Sequence, residues 1–401
     1  MYGGDTVTQQ AMTQRVYAAT GASEADDAVE AGRAAAEQAI SKLQGRTAAL
    51  VIVYVSVRYD LAKLVPAVRS VTGDAPLVGA SSSGHFHGAN LVEPDRGVAV
   101  LVMTGGRYRF GVASVGELNA DGVVAGEQLA RAARDAAGPR APCATVLLFS
   151  DGLAVEQQEL VVGIHKVTGA AVPVVGGAAG DDRRLTRTFV LHNDSALTDA
   201  AVAVWIGSDE PVPVAIGQGW HTVSVPMLVT KVDGAIVHEI AGRPARDVFE
   251  EYFPGGDVEA IDPIRDGANY TTHAFGLIQP DGSYLIRSVF LGQDGLVHTL
   301  APLPVYSALQ IVECDEDSLL ETSQRVAEQA TNGRTDDVSV MLVFSCIARL
   351  DVLAGRGPEE AGRLQAAAGP VPIFGIYTYG EFARTRSVAG YHNTTIAAIA
   401  L

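Results

Sequence analysis

Residues 340–345 of this chain read Val-Met-Leu-Val-Phe-Ser, and residues 372–375 read Pro-Ile-Phe-Gly. The first stretch is a continuous apolar run, which is typical of a strand buried on both faces. A helix-like stretch separates the two, and a loop of small and polar residues follows the glycine. The same order occurs at residues 50–56 with 76–79, and at residues 146–150 with 173–176. Internal repetition of this kind predicts architecture before any single residue does.

Each copy is followed by a further apolar strand, at residues 97–103, 200–207 and 394–401. Elsewhere strands meet at Asp-Gly turns. Strands connected through helices and strands connected by hairpins therefore both occur. The pattern predicts an α/β fold of two domains, with mixed β-sheets flanked by helices and built on a repeated strand, helix, Pro-x-x-Gly and strand module. Prolines and acids around residue 210 mark a boundary, so we expect a flexible leader at residues 1–22 and domains at residues 23–210 and 211–401.

Composition limits the class of partner. The chain has 29 basic and 46 acidic residues and a formal charge of −17, which repels phosphate backbones and anionic membranes. The first twenty residues hold no apolar signal segment, and no apolar run approaches the roughly 20 residues of a membrane span. We therefore expect a cytoplasmic protein without membrane insertion and without nucleic acid as a partner.

Known catalytic and metal-binding patterns are not found in the sequence. The cysteines Cys143, Cys314 and Cys346 lie far apart and form no C-x-x-C pair. The chain contains no G-x-S-x-G elbow, no H-E-x-x-H and no phosphate-binding Walker loop. The sequence therefore predicts neither a metal nor a cofactor.

Two charged residues of the third copy are candidate ligand-binding groups. Arg349 follows a buried strand, where its guanidinium can hold a ligand carboxylate through two hydrogen bonds. Glu381 follows Gly380, a residue that allows close backbone approach, and its carboxylate can meet a ligand amine. The alternatives are an internal ion pair, for example between these two residues, or a solvated loop acid for Glu381.

Aromatic and sulfur groups lie beside them. Tyr377 and Tyr379 alternate on one strand face, where they form either core or the aromatic wall of a pocket. Ser345 and Cys346 end the preceding strand. Cys346 beside Arg349 is either an activated thiolate or a buried small hydrophobic residue.

Two polar loops complete the candidate site. His392 and Asn393 are either hydrogen-bond partners of a ligand or turn formers. In the first copy Ser81, Ser82 and Gly84 form a loop whose amides and hydroxyls suit an anion, although such loops also serve as plain turns after strands.

Several of these segments resemble the FIST family, a sensory module with an N-terminal and a C-terminal FIST domain. The likeness covers about residue 25 to the end of the chain. It rests on the order of residues 76–84 (PLVGASSSG), 232–234 (VDG), 242–245 (GRPA), 249–252 (FEEY), 342–349 (LVFSCIAR), 375–381 (GIYTYGE) and 392–395 (HNTT).

The resemblance implies that the chain detects a small ligand, an amino acid or a related metabolite, and couples its binding to a signalling output. No segment of the kinase, cyclase, receptor or F-box type is recognised, so the output requires a separate partner protein. We expect Arg349 and Glu381 to hold the ligand carboxylate and amine, with Tyr377 or Tyr379 as the apolar wall. The alternative is a hydrolase or transferase with Cys346 or a loop serine as nucleophile.

Overall fold

The computed structural model describes residues 15–154, 157–253, 272–280, 282–384 and 390–401. The predicted mixed α/β fold and its repeated module are confirmed. Three units share the order edge strand, helix, strand, helix, strand, hairpin and strand. In the third unit a nine-stranded sheet is inserted after the edge strand, and a further short helix precedes the last helix.

The described residues of the first two units form twelve strands and four helices. In the first unit these are β1 (Ala18–Ser23), α1 (Ala28–Lys42), β2 (Leu50–Val55), α2 (Leu61–Thr72), β3 (Leu77–Ser81), β4 (His85–His87), β5 (Asn90–Val92) and β6 (Val98–Met103). In the second they are β7 (Arg109–Gly116), α3 (Gly122–Ala136), β8 (Cys143–Ser150), α4 (Gln157–Thr168), β9 (Val174–Ala178), β10 (Val190–His192), β11 (Ser195–Leu197) and β12 (Ala200–Ser208).

The third unit begins with β13 (Val214–Gly217) and continues after the inserted sheet. The insertion contains β14 (His221–Thr222), β15 (Met227–Asp233), β16 (Ile236–Ile240), β17 (Arg243–Pro244), α5 (Ala245–Tyr252), β18 (His273–Ile278), β19 (Tyr284–Arg287), β20 (Val289–Leu291), β21 (Val297–Thr299) and β22 (Ala308–Glu313). The unit ends with α6 (Glu316–Thr331), a 3₁₀ turn (Thr335–Asp337), β23 (Met341–Cys346), α7 (Ile347–Val352), α8 (Gly357–Ala368), β24 (Ile373–Thr378), β25 (Gly380–Arg384), β26 (Tyr391–His392) and β27 (Ile396–Ala400).

The three units exchange hairpins in a closed cycle. The first sheet has the order β1-β6-β2-β3 and is extended by β10-β11 of the second unit. The second sheet has the order β7-β12-β8-β9 and is extended by β25-β26 of the third unit. The third sheet, β13-β27-β23-β24, receives β4-β5 of the first unit. Each unit therefore completes the sheet of another, and the central core is common to all three.

Aromatic side chains at the middle of this core come from matching strands of the three units. The ring of Phe149 on β8 lies 6.1 Å from the ring of Tyr54 on β2 and 6.0 Å from that of Phe344 on β23, edge to face in both cases. All three are fully buried. The strands that carry them read as continuous apolar runs because both of their faces are covered.

The glycine of the third Pro-x-x-Gly motif makes room for the exchanged hairpin. Gly375 pairs with Phe86 of β4, and a Cβ on Gly375 would come 2.0 Å from the Phe86 ring. A side chain at this position would therefore displace the ring. The motif marks the strand that receives a neighbour's hairpin.

The start of the chain and the domain boundary were also predicted. Residues 18–22 of the expected leader belong to β1, which pairs with β6 along its full length, so that part of the leader is an ordered edge strand. Residues 1–14 lie outside the described residues. The expected boundary at residue 210 falls between β12 and β13 and stays a prediction, since the hairpins exchanged between units cross it.

Candidate functional site

Arg349, the predicted holder of a ligand carboxylate, lies inside the third unit with 1% of its side chain exposed. Its Nη2 lies 2.7 Å from Oε1 of Glu360, which forms a buried ion pair with it. Its other hydrogen bonds go to the hydroxyls of Ser323 and Ser345 and to the carbonyls of Leu319 and Gln218.

All three nitrogens of Arg349 are therefore engaged within the protein. Nε and Nη2 both bond Oε1 of Glu360, so a ligand carboxylate could take that edge of the guanidinium only by displacing Glu360. Arg349 therefore forms an internal ion pair, as in the alternative prediction. Its partner is Glu360 and not Glu381. Burial alone would raise the pKa of Glu360, but the charge of Arg349 and the hydrogen bonds around it hold that pKa below its ordinary value.

The two tyrosines of the third copy both have internal partners. The Tyr377 hydroxyl donates to Oε2 of Glu360 at 2.5 Å, and the Tyr379 hydroxyl donates to Asp181 of the second unit. Burial raises the pKa of both phenols, so both remain neutral. Gly380 is a packing position, since a Cβ there would lie 2.3 Å from the Tyr391 hydroxyl. Neither Tyr377 nor Tyr379 lines either of the two cavities described below.

Glu381 is a fully buried carboxyl group on β25. It accepts hydrogen bonds from the Thr378 hydroxyl at 2.7 Å and from the Thr395 hydroxyl at 2.6 Å. Burial raises the pKa of Glu381 to about 8, and these hydrogen bonds oppose the rise only in part. At neutral pH the group is therefore mostly protonated and carries little charge with which to hold a ligand ammonium.

Cys346 lies beside Glu381, at the residue before α7, and is almost fully buried. Burial raises the pKa of the Cys346 thiol well above its ordinary value. A nucleophilic cysteine needs its thiolate form, which a neighbouring cation promotes and burial suppresses. The geometry therefore supports the buried hydrophobic alternative for Cys346.

His392 is the last residue of β26 in the β25–β26 hairpin, and Asn393 follows it. His392 Nε2 lies 3.0 Å from the carbonyl of Ala383, and burial lowers the pKa of His392 to about 4, so the ring is neutral. Asn393 is buried, and its Oδ1 accepts from Nη1 of Arg287 at 3.4 Å. The sequence did not indicate Arg287, which comes from the inserted sheet.

The serine loop of the first unit is packed against the second and third units. The Ser81 hydroxyl donates to the carbonyl of Gly180 at 2.6 Å, and the Ser82 hydroxyl lies 3.1 Å from Nδ1 of His85. The carbonyl of Gly84 accepts from the backbone N–H of Tyr377. Both serines are fully buried. The loops that follow the three Pro-x-x-Gly motifs thus meet, but their hydroxyls and amides are used internally.

A cavity of about 340 Å³ opens on the other side of the Arg349 network. We call it the α6 cavity. Its volume lies within the usual range for a small-molecule site. It is lined by Ile216, Gly217, Gln218, Gly219, Trp220, His221, Ser318, Glu321, Thr322, Arg325, Val326 and Gln329.

The α6 cavity exists because α6 stands away from its edge strand. In the first two units a glycine of the edge strand packs directly on the helix: a Cβ on Gly21 would lie 2.2 Å from a carbonyl of α1, and one on Gly111 would lie 2.1 Å from a carbonyl of α3. A Cβ on Gly217 would lie 3.9 Å from the carbonyl of Thr322 and would instead meet its side chain. The wider gap is a feature of the third unit.

The lining offers groups of both charges and an unused acceptor. Oε1 of Gln218 is buried and has no hydrogen-bond partner among the described residues. On α6, Arg325 and Glu321 are exposed and 3.8 Å apart, a distance at which their ion pair is weak. Trp220 donates from Nε1 to the carbonyl of Thr394 and so forms the end of the cavity nearest the third copy's loop. A ligand with both a donor and an acceptor suits this lining.

A second cavity, of about 260 Å³, lies near the link between β12 and β13. Arg334 on its wall pairs with Glu210 at 3.1 Å, and Arg107 donates to the carbonyl of Asp337. We favour the α6 cavity because it has the greater volume of the two and contains the buried Oε1 of Gln218, which has no hydrogen-bond partner among the described residues.

Sequence reasoning missed the α6 cavity. Its residues belong to a short loop after β13 and to one face of a helix, and the width of a gap between them is not a sequence property. Two signals were available: Trp220, one of only two tryptophans, in a polar stretch, and the spacing of Glu321 and Arg325 on one helix face.

The chain matches two protein-family models in succession. The FIST N domain model covers residues 49–243, and the FIST C domain model covers residues 245–384. FIST domains are generally sensory domains of signal transduction.

Relatives at low identity share most of this length. The uncharacterized protein Rv0628c of Mycobacterium tuberculosis is 24% identical over 379 residues, which is 93% of this chain and 95% of that protein. The uncharacterized protein Mb0898c of Mycobacterium bovis is 24% identical over 366 residues, 88% of this chain and 91% of that protein.

Two solved structures cover nearly the whole chain at low similarity. A chorismatase is 13% identical, covers 97% of this chain and 99% of its own, and has a TM-score of 0.37. The cyanuric acid hydrolase of A. caulinodans is 10% identical, covers 96% and 99%, and has a TM-score of 0.34. Similarity at this level carries no argument about chemistry. None of the described helices has the length and apolar character that crossing a membrane requires.

Proposed function

Because this chain belongs to the FIST family, we propose that it is a cytoplasmic sensor that binds an amino-acid-like molecule in the α6 cavity and signals through a separate partner protein. The observation that carries the proposal is the buried Oε1 of Gln218, which has no partner among the described residues. A buried acceptor without a donor costs free energy, and a ligand N–H group would satisfy it.

Charge at the rim favours a zwitterion. Arg325 can take a carboxylate through two parallel hydrogen bonds, and Glu321 can take an ammonium group. The two side chains lie on the same face of α6, four residues apart, so both reach the cavity mouth. With Gln218 at the wall, an α-amino acid with a small side chain matches the volume and both charges. We thus keep the predicted ligand class, an amino acid. We propose residues of the α6 cavity as the binding residues in place of Arg349 and Glu381.

The surroundings of the α6 cavity supply a route from ligand to the rest of the fold. The carbonyl of Gln218 accepts from Arg349, whose buried ion pair with Glu360 connects α6, α7 and α8. On the other side, Trp220 adjoins His221 at the start of the inserted sheet and bonds Thr394. A ligand that fixes this loop therefore acts on both the third unit and the inserted sheet.

We propose binding without chemical turnover. The thiol of Cys346 is buried and neutral, which argues against its use as a nucleophile. Ser82 and His85 form a Ser–His pair, but both are fully buried within the central core, where a substrate has no access. The hydrolase or transferase alternative therefore lacks an accessible nucleophile among these candidates.

Titration calorimetry with the full chain tests the proposal, after a thermal-shift screen of the common amino acids and their amine and carboxylate analogues. We expect saturable binding that requires both the amine and the carboxylate. Arg325→Gln should weaken it tenfold or more, which corresponds to about 1.4 kcal/mol, because one charged hydrogen bond is lost. Arg33→Gln, an exposed change on α1, is the matched control. No binding across the panel, or equal affinity in the two variants, would exclude the α6 cavity as the site.

A further inference from the structure

Arg287 is a buried cation at the end of β19, where the inserted sheet packs against the β25–β26 hairpin. Only 5% of its surface is exposed. Burial lowers the pKa of Arg287 to about 10, which still leaves the guanidinium protonated at neutral pH. A buried positive charge normally requires an anion nearby.

Among the described residues, Arg287 forms two hydrogen bonds, and both go to neutral groups. Both come from Nη1: one goes to the carbonyl of the preceding Ile286 at 3.1 Å, the other to Oδ1 of Asn393 at 3.4 Å. Its Nε is buried without a hydrogen-bond partner in the described part of the chain. Arg349 provides the comparison within the same protein, since it is equally buried, has a carboxylate partner and uses all three nitrogens.

The described groups around Arg287 do not supply a negative charge. Burial and, to a smaller extent, the positive charge of Arg287 lower the pKa of His392 to about 4, so His392 is neutral. Burial raises the pKa of Tyr391, so its phenol is neutral as well. Within residues 15–154, 157–253, 272–280, 282–384 and 390–401, no carboxylate forms an ion pair with Arg287.

We propose that Arg287 and Asn393 form a binding site for a small carboxylate monoanion, separate from the α6 cavity. The Nε edge of a guanidinium is planar and matches the two oxygens of a carboxylate. One buried positive charge is balanced by one negative charge, so a dianion such as sulfate would leave an excess charge buried. The side-chain oxygen of Asn393 accepts from Nη1 and so fixes the guanidinium, whose Nε has no hydrogen-bond partner among the described residues.

The site has a structural consequence. Arg287 belongs to the inserted sheet, while Asn393 follows the hairpin that the third unit contributes to the second sheet. A carboxylate held between them joins the inserted sheet to the three-unit core. Binding here therefore stabilises that contact and, by linkage, the folded chain.

Urea unfolding of the full chain in increasing sodium acetate, at ionic strength held constant with sodium chloride, tests the proposal. The unfolding midpoint of the wild type should rise with acetate and level off. Arg287→Met should abolish the rise and, without acetate, should be no less stable than the wild type, because it removes a buried charge that has no counter-ion in the described part of the chain. Arg33→Met, exposed on α1, should keep the acetate response.

A second variant supplies the anion from the chain itself. Asn393→Asp places a carboxylate where Oδ1 now lies 3.4 Å from Nη1, so it should raise stability and remove the acetate response together. A wild type that does not respond to acetate would overturn the proposal, as would an equal response in Arg287→Met. Equal stabilisation by sodium chloride alone would overturn the assignment to carboxylates, and a destabilised Asn393→Asp would show that Arg287 needs no anion. These results do not depend on whether an amino acid binds in the α6 cavity.

Discussion

Glu381→Gln tests the buried carboxyl group through the pH dependence of stability. Glu381 has an ordinary pKa of 4.5, which burial raises to about 8 in the folded chain. Between these values the folded state keeps a proton that the unfolded state has released. The contribution of Glu381 to stability is therefore fully present below pH 4.5 and is lost as pH rises towards about 8.

The size of the effect follows from the two pKa values. One proton of difference changes the free energy of unfolding by about 1.4 kcal/mol for each pH unit, so the whole interval corresponds to an order of magnitude of 3 to 5 kcal/mol. Glutamine has nearly the same shape, carries no titrating proton and can bond both Thr378 and Thr395. The variant should therefore gain stability relative to the wild type as pH rises, up to about pH 8.

Urea unfolding at several pH values between about 5 and 9 measures the difference. The wild-type curve should fall away from that of Glu381→Gln by about 1.4 kcal/mol per pH unit and then run parallel to it. Glu37→Gln, an exposed change on α1, should follow the wild type throughout. If Glu381→Gln also follows the wild type, the reasoning about burial is refuted.

Two further predictions concern the buried groups of the third unit. Glu360→Gln leaves the Arg349 guanidinium without its counter-ion and should lower the free energy of unfolding by about 3 to 5 kcal/mol, measured by urea unfolding, whereas the exposed Glu359→Gln on the same helix should have a much smaller effect. In native protein a thiol reagent should modify the half-buried Cys143 and leave Cys346 unreacted until urea unfolds the chain. Mass spectrometry of the labelled peptides measures this difference. Rapid labelling of Cys346 in the native protein would restore the alternative in which Cys346 is a nucleophile.

The repeated module was predictable because its sequence signals are local. Apolar runs such as residues 340–345 can be recognised within a short stretch of sequence, and so can the Pro-x-x-Gly motif. The exchange of hairpins was not predictable in the same way. Phe86 pairs with Gly375 although more than half of the chain separates them, and no local sequence pattern near either residue indicates the other.

The candidate site was predicted only in part, for a similar reason. Arg349 and Glu381 have the residue types that bind amino acids, but their function depends on neighbours that only the fold supplies. Glu360 occupies the guanidinium of Arg349, and burial neutralises Glu381. Arg287 lies in an ordinary strand, and only the fold shows that it is buried beside Asn393 without a carboxylate partner among the described residues.

Amide hydrogen exchange locates the ligand most directly. It compares the full chain alone with the chain saturated by the amino acid that gives the largest thermal shift. The account predicts slower exchange at residues 216–221 and 318–329, the two walls of the α6 cavity. Slower exchange at residues 375–393, with both cavity walls unchanged, would contradict it.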